Sequence, residues 1–311
     1  MDGAGAPVVA GVDGSPEALA AARLGALEAR DRGVPLDLVL ALPWRELPPA
    51  EDAGGVDLAG VVRSMGSLLL ESTAHAAREA APGLTVRTRL VEGRATDVLL
   101  AESGGAGLLC LGSRSGGLVG DLLLGAVAAG VARSARCPVL VVRADARASV
   151  RGRSGVVVGV DGEPGDESVL EAAFAAAARR STEVVAVHCW QHTVPGPAHL
   201  LFDPFVDEDS ARTREEAVLD DALAAPMERR PEVPVRRVVE RGRAAPALVA
   251  AGLAAELLVV GHRPRAGHGL GSVATAVLHT ASCPVLVVPI PSSDRAGSAL
   301  RSALRSEEAR S

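Results

Sequence analysis

The sequence predicts a doubly wound α/β protein built twice over, with two five-stranded parallel-sheet domains in one chain. Three observations carry that expectation. Val/Leu-rich runs such as VVAGV, LLCLG and PVLVV alternate with amphipathic helical stretches, and strands that are apolar throughout belong in a parallel sheet covered by helices on both faces. The pattern then repeats: VVAGVDGSPEALAAA starts at Val8 and VVVGVDGEPGDESVLEAA at Val156, while CPVLVV starts at Cys137 and again at Cys283. The offset stays between 146 and 149 residues, so the repeating unit is a whole domain and not a short solenoid turn. Finally, 311 residues suit two domains, each large enough to bury its own core.

In the first half, strands are predicted at 7–12, 36–41, 84–91, 107–111 and 138–143. Helices are predicted between them at 16–31, 57–81, 95–104 and 125–136, the first opened by Ser15-Pro16 as a cap and first-turn pair. The second half repeats the order, with strands at 155–160, 183–189, 233–239, 256–260 and 284–290. Its helices are predicted at 165–180, 208–230, 244–254 and 271–282. Domain boundaries follow at 1–145 and 155–291, joined by a basic linker at 146–154 and trailed by a polar tail at 292–311. Two long insertions, 42–57 and 189–208, follow the second strand of each half and suit lids, partner surfaces or packing filler. The last strand of each half is apolar and would lie at a sheet edge, so the two terminal strands are expected to pair with each other or with those of another chain.

Composition narrows the function classes. A net charge of −6, 2% aromatic residues and no Tyr leave neither a basic footprint nor stacking rings, so nucleic acid is not an expected partner. No apolar run is long enough to cross a membrane and the N-terminus carries no leader-like pattern, so a cytoplasmic location is expected. Cys110, Cys137, Cys189 and Cys283 show no CxxC spacing and read as reduced thiols in or beside the core.

Ligands of open parallel sheets bind beyond the carboxyl ends of the strands, where the winding reverses. There the first half carries GVDGSP and GSRSGGLVGDLLLGA, and the second carries GVDGEP and GHRPRAGHGLGS. Glycine-rich turns and helix N-termini let backbone amides converge on an anion. Asp13 and Asp161 end the first strand of each half, either beside a ligand or as turn and capping carboxylates.

Together VVAGVDGSP, GRA, LLCLGSRSGG…LLLGAV and CPVLVV, with their second-half partners, resemble the universal stress protein family over about 7–143 and 155–290. The resemblance implies an adenine nucleotide alpha-hydrolase-like fold with strand order 3-2-1-4-5 and dimerisation through the last strand. It also implies ATP or AMP; Mg2+, held with help from Asp13 or Asp161, belongs to the alternative in which the protein slowly hydrolyses ATP. The family's nucleotide motif is a Gly, two residues, a Gly, nine residues, then Gly followed by Ser or Thr. Its first-strand aspartate corresponds to Asp13 and Asp161, and the second-strand end beside the adenine to Ala41 or Leu42 and to His188 or Cys189. Gly112, Ser115, Gly125 and Ala126 fall on the motif in the first half, with Gly116 available if the turn shifts by one residue. Gly261, Pro264, Gly271 and Ser272 fall on it in the second half.

Both copies depart from the motif. Ala126 removes a phosphate hydrogen bond, a loss of about 1.5–3 kcal/mol, and Ser115 replaces the middle glycine. In the second half Pro264 has no N–H to give and the loop is three residues shorter, with Arg263, Arg265 and His268 as alternative phosphate neutralisers. The seven histidines form no base or zinc constellation, and neither a GxSxG nor a Walker A lysine is present, so no catalytic residue is expected. The leading expectation is a non-enzymatic stress-response module that binds adenine nucleotide weakly in at least one half and signals through unidentified protein partners. A scaffold that has lost the nucleotide and a slow ATP-hydrolysing enzyme are the alternatives.

Overall fold

The computed structural model describes residues 5–43, 57–113, 124–143, 153–191, 208–263 and 269–290. The first half runs β1 (Val8–Val12), α1 (Pro16–Arg32), β2 (Leu36–Leu42), α2 (Leu58–Ala80), β3 (Val86–Glu92), α3 (Ala95–Glu102), β4 (Leu108–Gly112), α4 (Ala126–Ser134) and β5 (Val139–Val142). The second runs β6 (Val156–Val160), α5 (Asp166–Arg180), β7 (Val184–Trp190), α6 (Glu208–Arg229), β8 (Val235–Arg241), α7 (Ala244–Gly252), β9 (Leu257–His262), α8 (Ser272–Thr280) and β10 (Val285–Pro289). Local signals start and stop these elements where the chemistry requires. Ser15 Oγ accepts the Ala18 amide at 3.1 Å with Pro16 opening α1, and Gly33, at φ 68°, closes it by turning its N–H back onto Ala29 and Arg30.

All ten strands form one sheet in the order β3-β2-β1-β4-β5-β10-β9-β6-β7-β8. Each half has the expected 3-2-1-4-5 winding with parallel neighbours, and the halves meet antiparallel, Leu140 of β5 opposite Leu286 of β10. The terminal strands therefore pair inside one chain. Each is flanked on both sides, so the expected homodimer through last strands has no free edge to use. The sheet's outer edges are instead β3 and β8, whose exposed Arg87, Arg89, Arg236 and Arg237 discourage further strand addition.

Helices α1, α2, α5 and α6 pack on one face over an apolar layer that includes Leu36, Leu108, Leu140, Phe174 and Leu219. Helices α3, α4, α7 and α8 cover the other, over Leu109, Val139, Leu258 and Val277. Both layers run unbroken across the β5–β10 joint. Among the described residues, no helix is long and apolar enough to cross a membrane.

Charges reinforce the joint on the first face. Glu28 of α1, only 6% exposed at its side chain, meets Arg32 at 3.2 Å, Arg179 at 3.5 Å and Arg180, the last two from α5 of the other half. Burial alone would raise its pKa, but Arg180, Arg32 and Arg179 outweigh that and hold the carboxyl below its ordinary value. On the opposite face His262 Nε2 lies 2.9 Å from the carbonyl of Arg133 at the end of α4, and Arg143 Nη1 donates to the His279 carbonyl at 3.3 Å.

Glu28→Ala leaves three guanidinium groups crowded without their carboxylate, and a broken buried pair costs about 3–5 kcal/mol. A lower urea midpoint is the expected result. Because the folded pKa is depressed, the contribution of Glu28 is present above its unfolded pKa and is lost as pH falls through the folded value. Glu28→Ala should therefore weaken the protein at neutral pH, with the gap from the parent closing in acid; a constant gap across the acid limb would contradict the assignment.

Candidate functional site

The winding of each half reverses between β1 and β4, and between β6 and β9, and a crevice opens beyond the carboxyl ends of these strands in both places. The first crevice is small, about 110 Å3, and largely apolar, lined by Gly11, Asp13, Ala41, Leu99, Gly112 and Val127 among others. The second is about 440 Å3 and more polar, lined by Asp161, Asp166, Arg263, Gly271 and Ser272 among others, with His262 buried in its wall. Cys189, Ala244, Ser272 and Val273 also line a neighbouring cavity of about 830 Å3 that follows α7 and α8.

Strand parity decides which second-strand residues face these crevices. Ala41 lines the first and Cys189 the second, whereas Leu42 packs into the layer beneath α1 and α2. His188 points the same way as the residues of that layer. Its Nδ1 lies 2.9 Å from the Val160 carbonyl and its Nε2 2.8 Å from Glu215 of α6. Leu42 and His188 are thus corrected to Ala41 and Cys189 as the residues facing the crevices. His188 occupies the register position that Leu40 holds in the first half. There Leu40 packs toward Gly66, so the second half has exchanged an apolar contact for a polar tie.

The strand-end aspartates differ more than their shared GVDG suggests. Asp13 Oδ1 accepts from the Ser15 N–H at 2.9 Å and from the Ser15 hydroxyl at 2.6 Å, a turn-and-cap arrangement. Asp161 Oδ1 accepts the Glu163 amide at 3.0 Å, and its Oδ2 takes Nη1 of Arg263 at 2.9 Å. Arg263 Nη2 also donates to the Pro164 carbonyl at 3.0 Å, so the guanidinium bridges the two turns that frame the crevice.

Sequence reasoning overlooked Asp166. Its Oδ2 accepts the Asp161 and Gly162 amides at 3.0 and 2.9 Å, a contact that closes the turn after β6 and is hinted at by the acid-rich stretch DGEPGDE. Burial, then the nearby charge of Asp161, lift its pKa to about 6. Burial would also raise Asp161, but the hydrogen bonds from Arg263 and the Glu163 amide bring it below its ordinary value.

His262 was also missed. Burial lowers its pKa, so the ring is neutral near pH 7. The Arg133 carbonyl can only accept, which puts the proton on Nε2. Nδ1 is then a bare acceptor, buried and without a hydrogen-bond partner among the described residues.

The motif glycines serve packing as much as ligand. A Cβ on Gly112 would stand 2.7 Å from the Ala18 nitrogen and 2.8 Å from the Glu17 carbonyl carbon, so β4 can pass under the start of α1 only as glycine. At Gly261 the obstruction is the side-chain tip of Ile290 at 2.8 Å. Gly125 is likewise committed, since its N–H donates to the Ser113 carbonyl at 2.7 Å and it precedes Ala126 at the start of α4. Gly271, by contrast, borders open space with Ser272 exposed beside it at the start of α8. Ser115, Gly116, Pro264, Arg265 and His268 lie outside the described residues.

A nucleotide and a metal fit the second crevice unequally. Its size lies within the roughly 300–1,000 Å3 of small-molecule sites and the first crevice falls below it. Mg2+ at Asp161 does not fit, since both carboxylate oxygens are engaged and a guanidinium already stands beside them. Among the described residues no group of three or more His, Cys, Asp or Glu side chains is placed to hold a metal ion.

The universal stress protein family profile matches residues 6–143 and again 153–289. A universal stress protein of Mycobacterium tuberculosis H37Rv is 35% identical over 292 residues, covering 90% of this chain and 96% of its own length. A second from the same strain is 33% identical over 296 residues, covering 90% and 95%. The crystal structure of a universal stress protein from Archaeoglobus fulgidus has the same fold, with a TM-score of 0.66 at 18% identity over 92% of this chain and 98% of that one.

Three glycine-to-alanine exchanges test the packing roles. Gly112→Ala forces backbone apart and should cost about 1–3 kcal/mol. Gly261→Ala should cost less, because a side-chain tip can yield, and Gly271→Ala should leave the denaturation midpoint unchanged. Separately, a folded Asp166 pKa above its unfolded value means that stability falls as pH rises from about 4 to about 6. Asp166→Asn should flatten that part of the melting-temperature profile.

Proposed function

The chain belongs to the universal stress protein family, with one family unit in each half, and from that premise we propose a nucleotide-responsive stress module. In this reading the second half holds an adenine nucleotide, AMP or ATP, and protein partners in the cytoplasm respond to its occupancy. The observation that carries the proposal is the polar second crevice, about 440 Å3, with Arg263 and the start of α8 in its lining. An arginine offers charge to a phosphate, and a helix start adds amide N–H groups. Binding is weak because Pro264 removes one loop amide and acidic Asp161 and Asp166 share the rim.

The module performs no chemistry on the nucleotide. Burial and the neighbouring Glu240 push the Cys189 thiol up, so it stays protonated and a poor nucleophile. The Nε2 proton of His262 is held by the Arg133 carbonyl. No lining residue among those described pairs a nucleophile with a base.

Thermal shift with AMP and ATP tests the reading. At about ten times Kd a ligand stabilises by about 1.4 kcal/mol, equivalent to a rise of a few degrees in a domain of about 150 residues. Cys189→Trp, which fills the second crevice, should abolish the shift, whereas Asp13→Ala in the small first crevice should retain it. No shift with either nucleotide at millimolar concentration would leave the scaffold reading standing in its place.

A further inference from the structure

We infer that Arg263 is the built-in counter-cation of the second crevice, so that this half binds a nucleotide phosphate without a divalent metal. The inference rests on the nucleotide reading above and specifies how its charge is met. A strand-end carboxylate beside a phosphate usually needs a cation between them to offset the repulsion. Here that place beside Asp161 is filled from within the chain, by Nη1 of Arg263 at 2.9 Å from Oδ2. Nη2 is fixed in turn by the Pro164 carbonyl at 3.0 Å. The other carboxylate oxygen takes the Glu163 amide, so a metal ion would have to displace a backbone bond or the guanidinium.

The guanidinium suits the task chemically. It has five N–H donors in a planar fork, and the two contacts above use two of them. The rest are free of those contacts, and Arg263 lines the crevice with 28% of its side chain exposed. It stays charged throughout the working pH range, and its fork matches phosphate oxygens. The start of α8, at Gly271 and Ser272, lines the same crevice and adds partial positive charge. In the first half, Asp13 has no basic partner among the described residues, its Oδ1 being held by Ser15.

The test is calorimetric titration of AMP into the full chain in EDTA and again in Mg2+. AMP is preferred because a triphosphate brings its own magnesium. The parent should bind equally well in both, within about twofold, whereas Arg263→Ala should lose about tenfold or more in EDTA. Added Mg2+ should restore much of that loss, because Asp161 is then free to hold it, and Arg263→Lys should stay metal-independent. The pair is partly exposed, so the variants should fold normally, with urea melts as the control. The inference is overturned, with the nucleotide reading intact, if the parent needs Mg2+ or if Arg263→Ala binds undiminished in EDTA. A loss that Mg2+ does not restore also overturns it, since Arg263 would then act through shape and not charge. No binding by the parent in either buffer removes the nucleotide reading itself, and this inference with it.

Discussion

Everything in this molecule depends on one strand pairing, the antiparallel contact of β5 with β10. Each half ends in a short strand with four consecutive buried Val/Leu residues, and neither is tolerable as an open edge. Joined, they turn two five-stranded sheets into a single ten-stranded one and make both apolar layers continuous. The Glu28–Arg180 cluster on one face and the His262–Arg133 contact on the other work at the same seam. Those polar ties fix the angle and register of a contact whose main driving force is apolar burial.

Much of this architecture was legible in the amino-acid order, because strands buried on both faces leave an unbroken apolar signature and the duplication supplied each signature twice. The predicted strand 138–143 and helix 16–31 agree closely with β5 and α1 for this reason. What failed was parity. Ala41 and Leu42 are adjacent and both apolar, and so nothing local says which faces the crevice. His188 was drawn into the site by its chemistry, yet its ring lies under α6, satisfied by a backbone carbonyl and Glu215. A period-two count outward from Asp161 along the paired strands would have chosen Cys189.

The glycines teach a related lesson. A spaced glycine pattern reads as a phosphate loop, but Gly112 is demanded by the backbone of α1 passing within van der Waals range, whether or not a ligand binds. Such glycines survive for packing even where the hydroxyl and middle glycine have been replaced, as at Ala126 and Ser115. The chemistry of the second crevice therefore lies less in its glycines than in the side chains around them. Arg263 stands out in the loop by its charge alone, and Asp166 is missed because it occupies no motif position.

Because the seam joins two segments of one polypeptide and not two identical subunits, a substitution appears once per particle. In a symmetric dimer any residue altered in one site is altered in both, and a change that harms either copy is unavailable. Here His188 can sit where its counterpart is Leu40, and one crevice can shrink while the other stays open. Covalent tethering thus frees each copy to specialise without asking its twin to follow.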